Sequence, residues 1–387
     1  MPLSVISHLS VPMSELINVL TLAAVEHFNP GMALSLYRAA GSATAVLDNR
    51  LNIRDIIPGC PQRVANALAD VSAARSRAGF EAEYASRHGI QVLVNGDGRY
   101  PQRLADCEDA PLVMFYKGTA DLNRGHVIDI VGTRRCTAYG HDCVRAFVRR
   151  LKELCPDTLI VSGLAYGIDI CAHREALTSG FDTVAVLAHG LDYLYPPRHK
   201  DTAREMLAHG GLLTEFFTHT NADKLNFLRR NRIVAGIADA TIVVESAGHG
   251  GGLVTARIAT SYNRDVFAFP GRINDEYSAG CNNLIRDNKA ALLTSADDFV
   301  AAMNWHTGAQ MTEARRRGIE RMLFPDLTAD EQRAVDVLQR DNDMQLNTLA
   351  ATLNMPVGSL SAMMFSLEMK GVVKSLAGGV YHLIEIS

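Results

Sequence analysis

The sequence lacks a paired-cysteine framework. Cys60, Cys107, Cys136, Cys143, Cys155, Cys171 and Cys281 are odd in number, and no two of them stand as C-x-x-C. A secreted disulfide scaffold and a zinc finger are therefore poor readings, and reduced thiols in a cytoplasmic protein are the expectation. Charge of one sign is not in excess either. Lys+Arg 38 against Asp+Glu 42 leaves a net charge of −4, so any nucleic-acid surface must be a local patch. No apolar run reaches the roughly 18 residues that a membrane span needs. The first apolar stretch is interrupted by Glu15 and Asn18 and has no basic segment before it. No membrane contact is expected.

Signatures of nucleotide and hydrolytic chemistry are missing as well. The dipeptide Gly-Lys never occurs, which removes the phosphate-binding P-loop. The dinucleotide pattern G-x-G-x-x-G/A starts at Gly248 and Gly250 but meets Leu253 where the third small residue belongs. There is no G-x-S-x-G elbow and no H-E-x-x-H. His173, His189 and His249 have no metal-ligand spacing and read as hydrogen-bonding or packing residues. Asp169, Asp192 and Glu245 suit acid–base work, but loop capping and cation pairing are commoner roles for such carboxylates. No cofactor and no metal are expected.

What is present is a long, ordinary globular composition. The 387 residues, 48% hydrophobic and 21% charged, suit two or three domains. Residues 1–95 read as helical, with Leu16, Leu20 and Ala23/Ala24 on one face. Ile56-Ile57-Pro58-Gly59-Cys60-Pro61, followed by a helical pattern from Gln62 to Ala74, resembles a helix-hairpin-helix turn. It suits either packing or a phosphate contact.

From Val127 the pattern becomes strand–helix alternation. The strand-like runs are Val127–Val131, Thr158–Val161, Thr183–Leu187, Gly211–Thr214, Ala240–Val244 and Asp265–Phe269. Mostly apolar strands separated by helices predict a doubly wound, mostly parallel α/β sheet, placed at residues 96–305. A basic linker over 306–321 holds Arg315-Arg316-Arg317-Gly318. Residues 322–387 read as helix–helix–turn–helix–hairpin, a winged-helix layout, with Thr328 and Glu331 spaced for a capping box.

Ligands of such sheets bind at the carboxyl ends of the strands. There the chain offers Gly132-Thr133-Arg134-Arg135, then Ser162-Gly163-Leu164-Ala165-Tyr166-Gly167-Ile168-Asp169, then His189-Gly190-Leu191-Asp192, and later Glu245 through Gly250-Gly251-Gly252. Glycines admit close backbone approach, and helix starts attract anions. The segment Lys224-Leu225-Asn226-Phe227-Leu228-Arg229-Arg230-Asn231-Arg232 adds four cations around an aromatic ring. Cations that track phosphates and rings that stack on bases suit a single nucleic-acid strand.

These loops carry a resemblance. Val131-Gly132-Thr133-Arg134, Ser162 to Asp169 with Ala172-His173, Gly190-Leu191-Asp192 with Tyr195-Pro196, Glu215, Phe227 with Arg230 to Gly236, Val244-Glu245 with Leu253 to Ala256, Pro270-Gly271 and Asn283-Leu284-Ile285 together resemble the DNA-processing protein A family, DprA or Smf. The resemblance covers about residues 95–300 and implies an extended Rossmann-like fold that binds single-stranded DNA without catalysis. It also implies a homodimer formed through that domain, partnership with the RecA recombinase, and a role in natural transformation. By position, Gly132-Thr133-Arg134 and Arg230-Asn231-Arg232 would face the DNA, with Ser162, Gly163 and Gly250 to Gly252 lining the same pocket. Arg135, Lys224, Phe227 and Arg229 join this candidate site from the charge and ring pattern. Two segments depart from the family pattern: Gly250-Gly251-Gly252 replaces Ser-Gly-Ser, and Gly280-Cys281-Asn282-Asn283 replaces Gly-Thr-Asn.

The alternative reading is a Rossmann-like nucleotide phosphoribohydrolase. That group's G-G-x-G-T-x-x-E loop is only partly matched, and its glutamate is missing. A transcriptional regulator is a third reading, but Arg321 to Ser387 holds five cations against eight acids. A helix that enters a DNA groove needs phosphate and base-edge donors, and this segment suits a protein contact better. Deletion of residues 322–387 should therefore leave single-strand binding largely intact in gel-shift titrations. A collapse of affinity in the still-folded truncation would refute this.

Overall fold

The computed structural model describes residues 12–26, 28, 31–305, 327–370, 372–376 and 379–383. The chain divides into two compact units, Met1–His306 and Thr307–Ser387. The linker expected at 306–321, including its three arginines, lies outside the described residues.

The first unit opens with helices α1 (Met13–Ala23), α2 (Met32–Ala40), α3 (Ala43–Asp48), α4 (Ile53–Ile56), α5 (Gln62–Ala69) and α6 (Ser72–His88). The single helix expected over 62–74 is interrupted. The Asp70 carboxylate accepts from Ser72 N at 2.9 Å, a local bond that ends α5 and starts α6. The all-helical reading of 1–95 also fails at its end, because Gln91–Val94 is strand β1. It pairs antiparallel with β2 (Val113–Gly118). Side chains alternate across this pair. Val92, Val94, Val113 and Phe115 pack into the core of the N-terminal helices, whereas Leu93, Met114 and Tyr116 pack into that of the main sheet. One antiparallel strand pair thus joins the helices to the sheet.

The sheet continues with β3 (Val127–Val131), β4 (Leu159–Ser162), β5 (Thr183–Val186), β6 (Gly210–Thr214), β7 (Ala240–Val243), β8 (Asp265–Ala268) and β9 (Ala291–Leu292). Its order among the described residues is β1-β2-β6-β5-β4-β3-β7-β8-β9. The β6 to β9 pairs are parallel, and β2 joins β6 antiparallel. All six strands expected from Val127 onward are present. Helices α7 (Gln102–Ala105), α8 (Ala138–Leu154), α9 (Ile168–Thr178), α10 (Lys200–Met206), α11 (Lys224–Ile237), α12 (Gly251–Ser261), α13 (Ala279–Arg286) and α14 (Ala296–Ala302) complete the unit. Residues of α11 and α12 pack into the core on one sheet face, and residues of α8, α9 and α14 into that on the other.

After β6 the chain returns to lay β7 against the free side of β3. The helices that follow β3 and β7, α8 and α12, pack on opposite faces of the sheet, and a doubly wound sheet opens its crevice at such a point.

In the second unit α15 (Ala329–Arg340), α16 (Leu346–Leu353) and α17 (Val357–Met369) pack on a small sheet of β10 (Met344–Gln345), β11 (Val373–Leu376) and β12 (Val380–Leu383). The expected capping box is present, with Thr328 N donating to Glu331 at 2.7 Å and Glu331 N to Thr328 Oγ1 at 3.3 Å. Lys370 Nζ adds bonds of 2.8 and 2.9 Å to the same carboxylate. The Lys370 bond and the cap hold Glu331 down to about 2, from an ordinary 4.5. Because the folded value lies below the unfolded one, the stabilisation is fully present above pH 4.5 and is lost as pH falls towards 2. The melting temperature of this unit should drop across that window, and Glu331→Gln should flatten the drop. Equal pH profiles for the two proteins in thermal melts would contradict the assignment.

Candidate nucleic-acid interface

A groove of about 720 Å³ lies at the carboxyl ends of β3, β4 and β7. Its first wall is the loop after β3. Thr133 N donates to Glu245 O at 2.6 Å, tying this loop to the end of β7. Gly132, Thr133, Arg134 and Arg135 line the groove. Behind them Gly167 has φ +78, and a Cβ there would lie 2.1 Å from Thr133 O. Only glycine lets the β4 loop approach so closely.

The opposite wall is the start of α12. Gly250, Gly251 and Gly252 line it, and no side chain caps the helix. The first-turn N–H groups remain for a ligand, and the helix dipole favours an anion there. A Cβ on Gly252 would meet Gly132 Cα at 3.3 Å, so two glycines allow the walls to converge.

Helix α11 supplies the rest. Asp223 caps it, accepting from Asn226 N at 2.8 Å. Lys224, Phe227, Arg230 and Asn231 from this helix line the groove. Arg134 Cζ lies 4.8 Å from the centre of the Phe227 ring, and Arg230 Cζ lies 5.8 Å from it. Arg134, Arg135 and Lys224 are exposed and form no ion pair among the described residues.

Arg230 has a different station. It is only 4% exposed and forms part of the groove's floor. Nη1 donates to Gly163 O at 2.6 Å and to Val186 O at 2.5 Å, while Nε donates to Asn231 Oδ1 at 3.3 Å. Burial lowers its pKa to about 10, with Asp169 pulling the other way. The buried Asp169 carboxyl is raised by burial against the pull of Arg230 and Arg134. Arg230 is thus a charged strut first and a ligand contact second.

Three residues of the candidate site do not line the groove. The Ser162 hydroxyl is buried and donates to Ile130 O at 2.6 Å. Arg229 lies with Cζ 5.3 Å from the Phe216 ring centre. Arg232 pairs with Glu215 and donates to Asp109 O at 2.5 Å. Successive helix positions turn by about 100°, so a run of cations on α11 cannot all face one ligand.

The rim carboxylates and histidines have structural work. Glu245 accepts from Thr137 N at 2.9 Å and from Thr137 Oγ1 at 2.6 Å at the start of α8. Asp192 accepts from His219 N at 3.0 Å. His173 is buried against Thr183 Oγ1 at 2.7 Å, and burial lowers its pKa to about 3. His189 bonds Gly190 O at 2.7 Å and accepts from Tyr195 N at 3.2 Å. His249 is exposed and lines the groove. Asn282, in the loop that departs from the family pattern, exchanges bonds of 3.1 and 3.0 Å with the backbone of Gly271. Among the described residues no group of three His, Cys, Asp or Glu is arranged for a metal ion.

A model of the DNA recombination-mediator protein A family matches residues 91–304, and a DprA winged helix domain model matches residues 322–379. The chain belongs to the DprA family. It is 39% identical over 205 residues to DNA processing protein DprA of Streptococcus pneumoniae, a match covering 53% of this chain and 71% of that protein. It is 32% identical over 294 residues to protein Smf of Escherichia coli, covering 73% and 75%. The X-ray structure of DNA processing protein A from Streptococcus pneumoniae gives a TM-score of 0.56 at 31% identity, covering 71% of this chain and 98% of that one. A Helicobacter pylori DNA processing protein A structure, described for its single-stranded DNA binding mode, gives 0.51 at 27% identity, covering 56% and 97%. The mostly parallel Rossmann-like sheet and the winged helix are those of a DprA protein.

Sequence reasoning missed Glu276 and Tyr277, which line the groove of this DprA protein from the loop before α13. That loop carries no motif, and Ser246 N donating to Tyr277 O at 2.7 Å brings it to the rim. Gly163 is a sensitive position because of what lies against it. An added Cβ would lie 2.2 Å from Arg230 Nη1, forcing the guanidinium off its carbonyls. Gly163→Ala should cost about 1–3 kcal/mol in urea unfolding. A wild-type midpoint would contradict the strut.

Proposed function

We propose that this protein binds single-stranded DNA in the groove between the β3 loop and α12, and that it does so without catalysis. The observation that carries this reading is the Arg134 guanidinium 4.8 Å from the Phe227 ring, with Arg135 and Lys224 beside it. Unpaired cations meet phosphates, the ring takes a base, and the uncapped start of α12 adds neutral donors. Phosphate neutralisation and ring stacking dominate that set, so sequence preference is weak and duplex of equal length binds worse. Family membership supports a fuller account. In it the protein protects incoming strands in natural transformation, helps load the RecA recombinase on them, and works as a homodimer through the central domain.

The phosphoribohydrolase reading needs a carboxylate at position 258 on α12. Ile258 stands there and packs against the sheet core. The groove's Asp169 is held beside Arg230, and Glu245 caps α8, so neither is arranged as the missing glutamate.

Affinity that comes from phosphate neutralisation falls with salt by about 0.7 log units per log unit for each contact. Arg134→Ala should weaken oligonucleotide binding and reduce that slope by about one contact's worth. Fluorescence titrations across salt concentrations, run beside a nucleotide-hydrolysis assay, decide the matter. Wild-type curves for the variant, or turnover without binding, would sink the reading.

A further inference from the structure

The groove does not account for a row of exposed rings beside it. Tyr195 packs edge-on to Phe227 at 6.0 Å. Tyr193 is exposed, and its hydroxyl accepts from Ala222 N at 2.6 Å, just before α11. Its neighbour Asp192 lies 3.3 Å from the exposed His219 imidazole. His219 in turn sits 5.8 Å from the ring of Phe80, which is 45% exposed on α6. Exposed apolar side chains scattered singly need no explanation, but two ring pairs, Tyr195 with Phe227 and His219 with Phe80, on loops joined by the Tyr193 hydroxyl bond mark a contact surface.

The row is rigidly held. Glu81, buried on α6, accepts from Thr218 N at 2.6 Å. Arg77 donates to Thr218 O at 2.5 Å and lies between the rings of Phe80 and Phe217, 5.4 and 5.6 Å from their centres. These bonds clamp α6 to the 215–223 loop, which leads straight into α11 and the groove. Fixed rings lose little entropy when a flat partner stacks on them.

We propose that Tyr195, Tyr193, His219 and Phe80 form a base-stacking track that carries a bound single strand out of the groove and onto the N-terminal helices. The proposal rests on the strand-binding reading of the groove. Its occupant is argued from continuity with Phe227 and from the chemistry of the row. Every base has a π-face, so rings accept any sequence, as the groove does. The row is built of rings rather than of a cluster of cations, so its contribution is stacking, which counterion release does not govern.

The test uses the full chain, Phe80→Ala, and fluorescent oligothymidylates of about six and about twenty nucleotides. The short probe fills the groove alone and should bind the variant as it binds wild type. The long probe should lose about five-fold or more, the loss of one base–ring stack, with an unchanged salt slope. Phe80→Trp should restore it. Equal affinities for the long probe, an equal loss for both probes, or a loss accompanied by a shallower slope would each overturn the track. Photo-crosslinking of a long oligonucleotide bearing 5-iodouracil gives a second readout on the unmutated chain. Adducts at Phe80, Tyr193 or Tyr195 support the track, and adducts confined to groove residues refute it. Arg134→Ala in parallel separates the two readings. If it weakens both probes while Phe80→Ala weakens neither, only the track fails; if the wild-type protein binds neither probe, the groove reading fails and the track with it.

Discussion

A buried guanidinium holds the rim of this protein together. Arg230 reaches from α11 beneath the groove to the carbonyls of Gly163 and Val186, the backbone just beyond β4 and at the end of β5. A charge taken out of water must be compensated by partners in good geometry. Here two carbonyls, Asn231 and the nearby Asp169 share that task. The consequence is positional. Because Arg230 cannot move without exposing those partners to a loss, α11 is pinned against two strand ends, and Phe227, one turn earlier, is held beneath Arg134.

The second constraint is how near the loops come to one another. Gly167 against Thr133, Gly163 against Arg230 and Gly252 against Gly132 are contacts that a Cβ would push apart. The glycines at this rim serve the convergence of three loops more than they serve a ligand directly. In the run Gly250-Gly251-Gly252, Gly252 makes the close approach to Gly132, while an added Cβ on Gly251 would meet nothing within 4 Å. The hydroxyls of a Ser-Gly-Ser loop are absent here, but the backbone donors of α12 remain in place.

Much of this was legible in the sequence, for reasons that differ by element. The six strands from β3 to β8 announce themselves because a parallel strand covered on both faces is a near-continuous apolar run. The Thr328–Glu331 capping box is equally local, since both partners sit within one helical turn. What was not legible depends on partners distant in sequence. β1 is four residues long and has meaning only through β2, and β9 is two residues at an edge. Lys224 to Arg232 reads as one basic surface, yet α11 distributes it: Arg229 to Phe216, Arg230 to the floor, Asn231 to the groove, Arg232 to Glu215. Glu215 stands out in the sequence as a match to the family pattern, but no local signal says that it belongs to Arg232.

The distribution of α11's charges explains how a chain of net charge −4 can present a cationic groove. Arg232 is matched by Glu215 and lies near Asp109, and Arg230 is set against Asp169, so the buried cations are locally balanced. Arg134, Arg135 and Lys224 are left exposed and form no ion pair among the described residues. Glu245, buried near the groove, turns its oxygens to Thr137 at the start of α8 instead of to these cations, and Glu276, from the loop before α13, is an exposed acid on the lining. Internal pairing of the buried set therefore leaves the exposed set as the local field that a polyanion meets. A rim whose buried acids are occupied by helix starts and arginines keeps its attraction for phosphate.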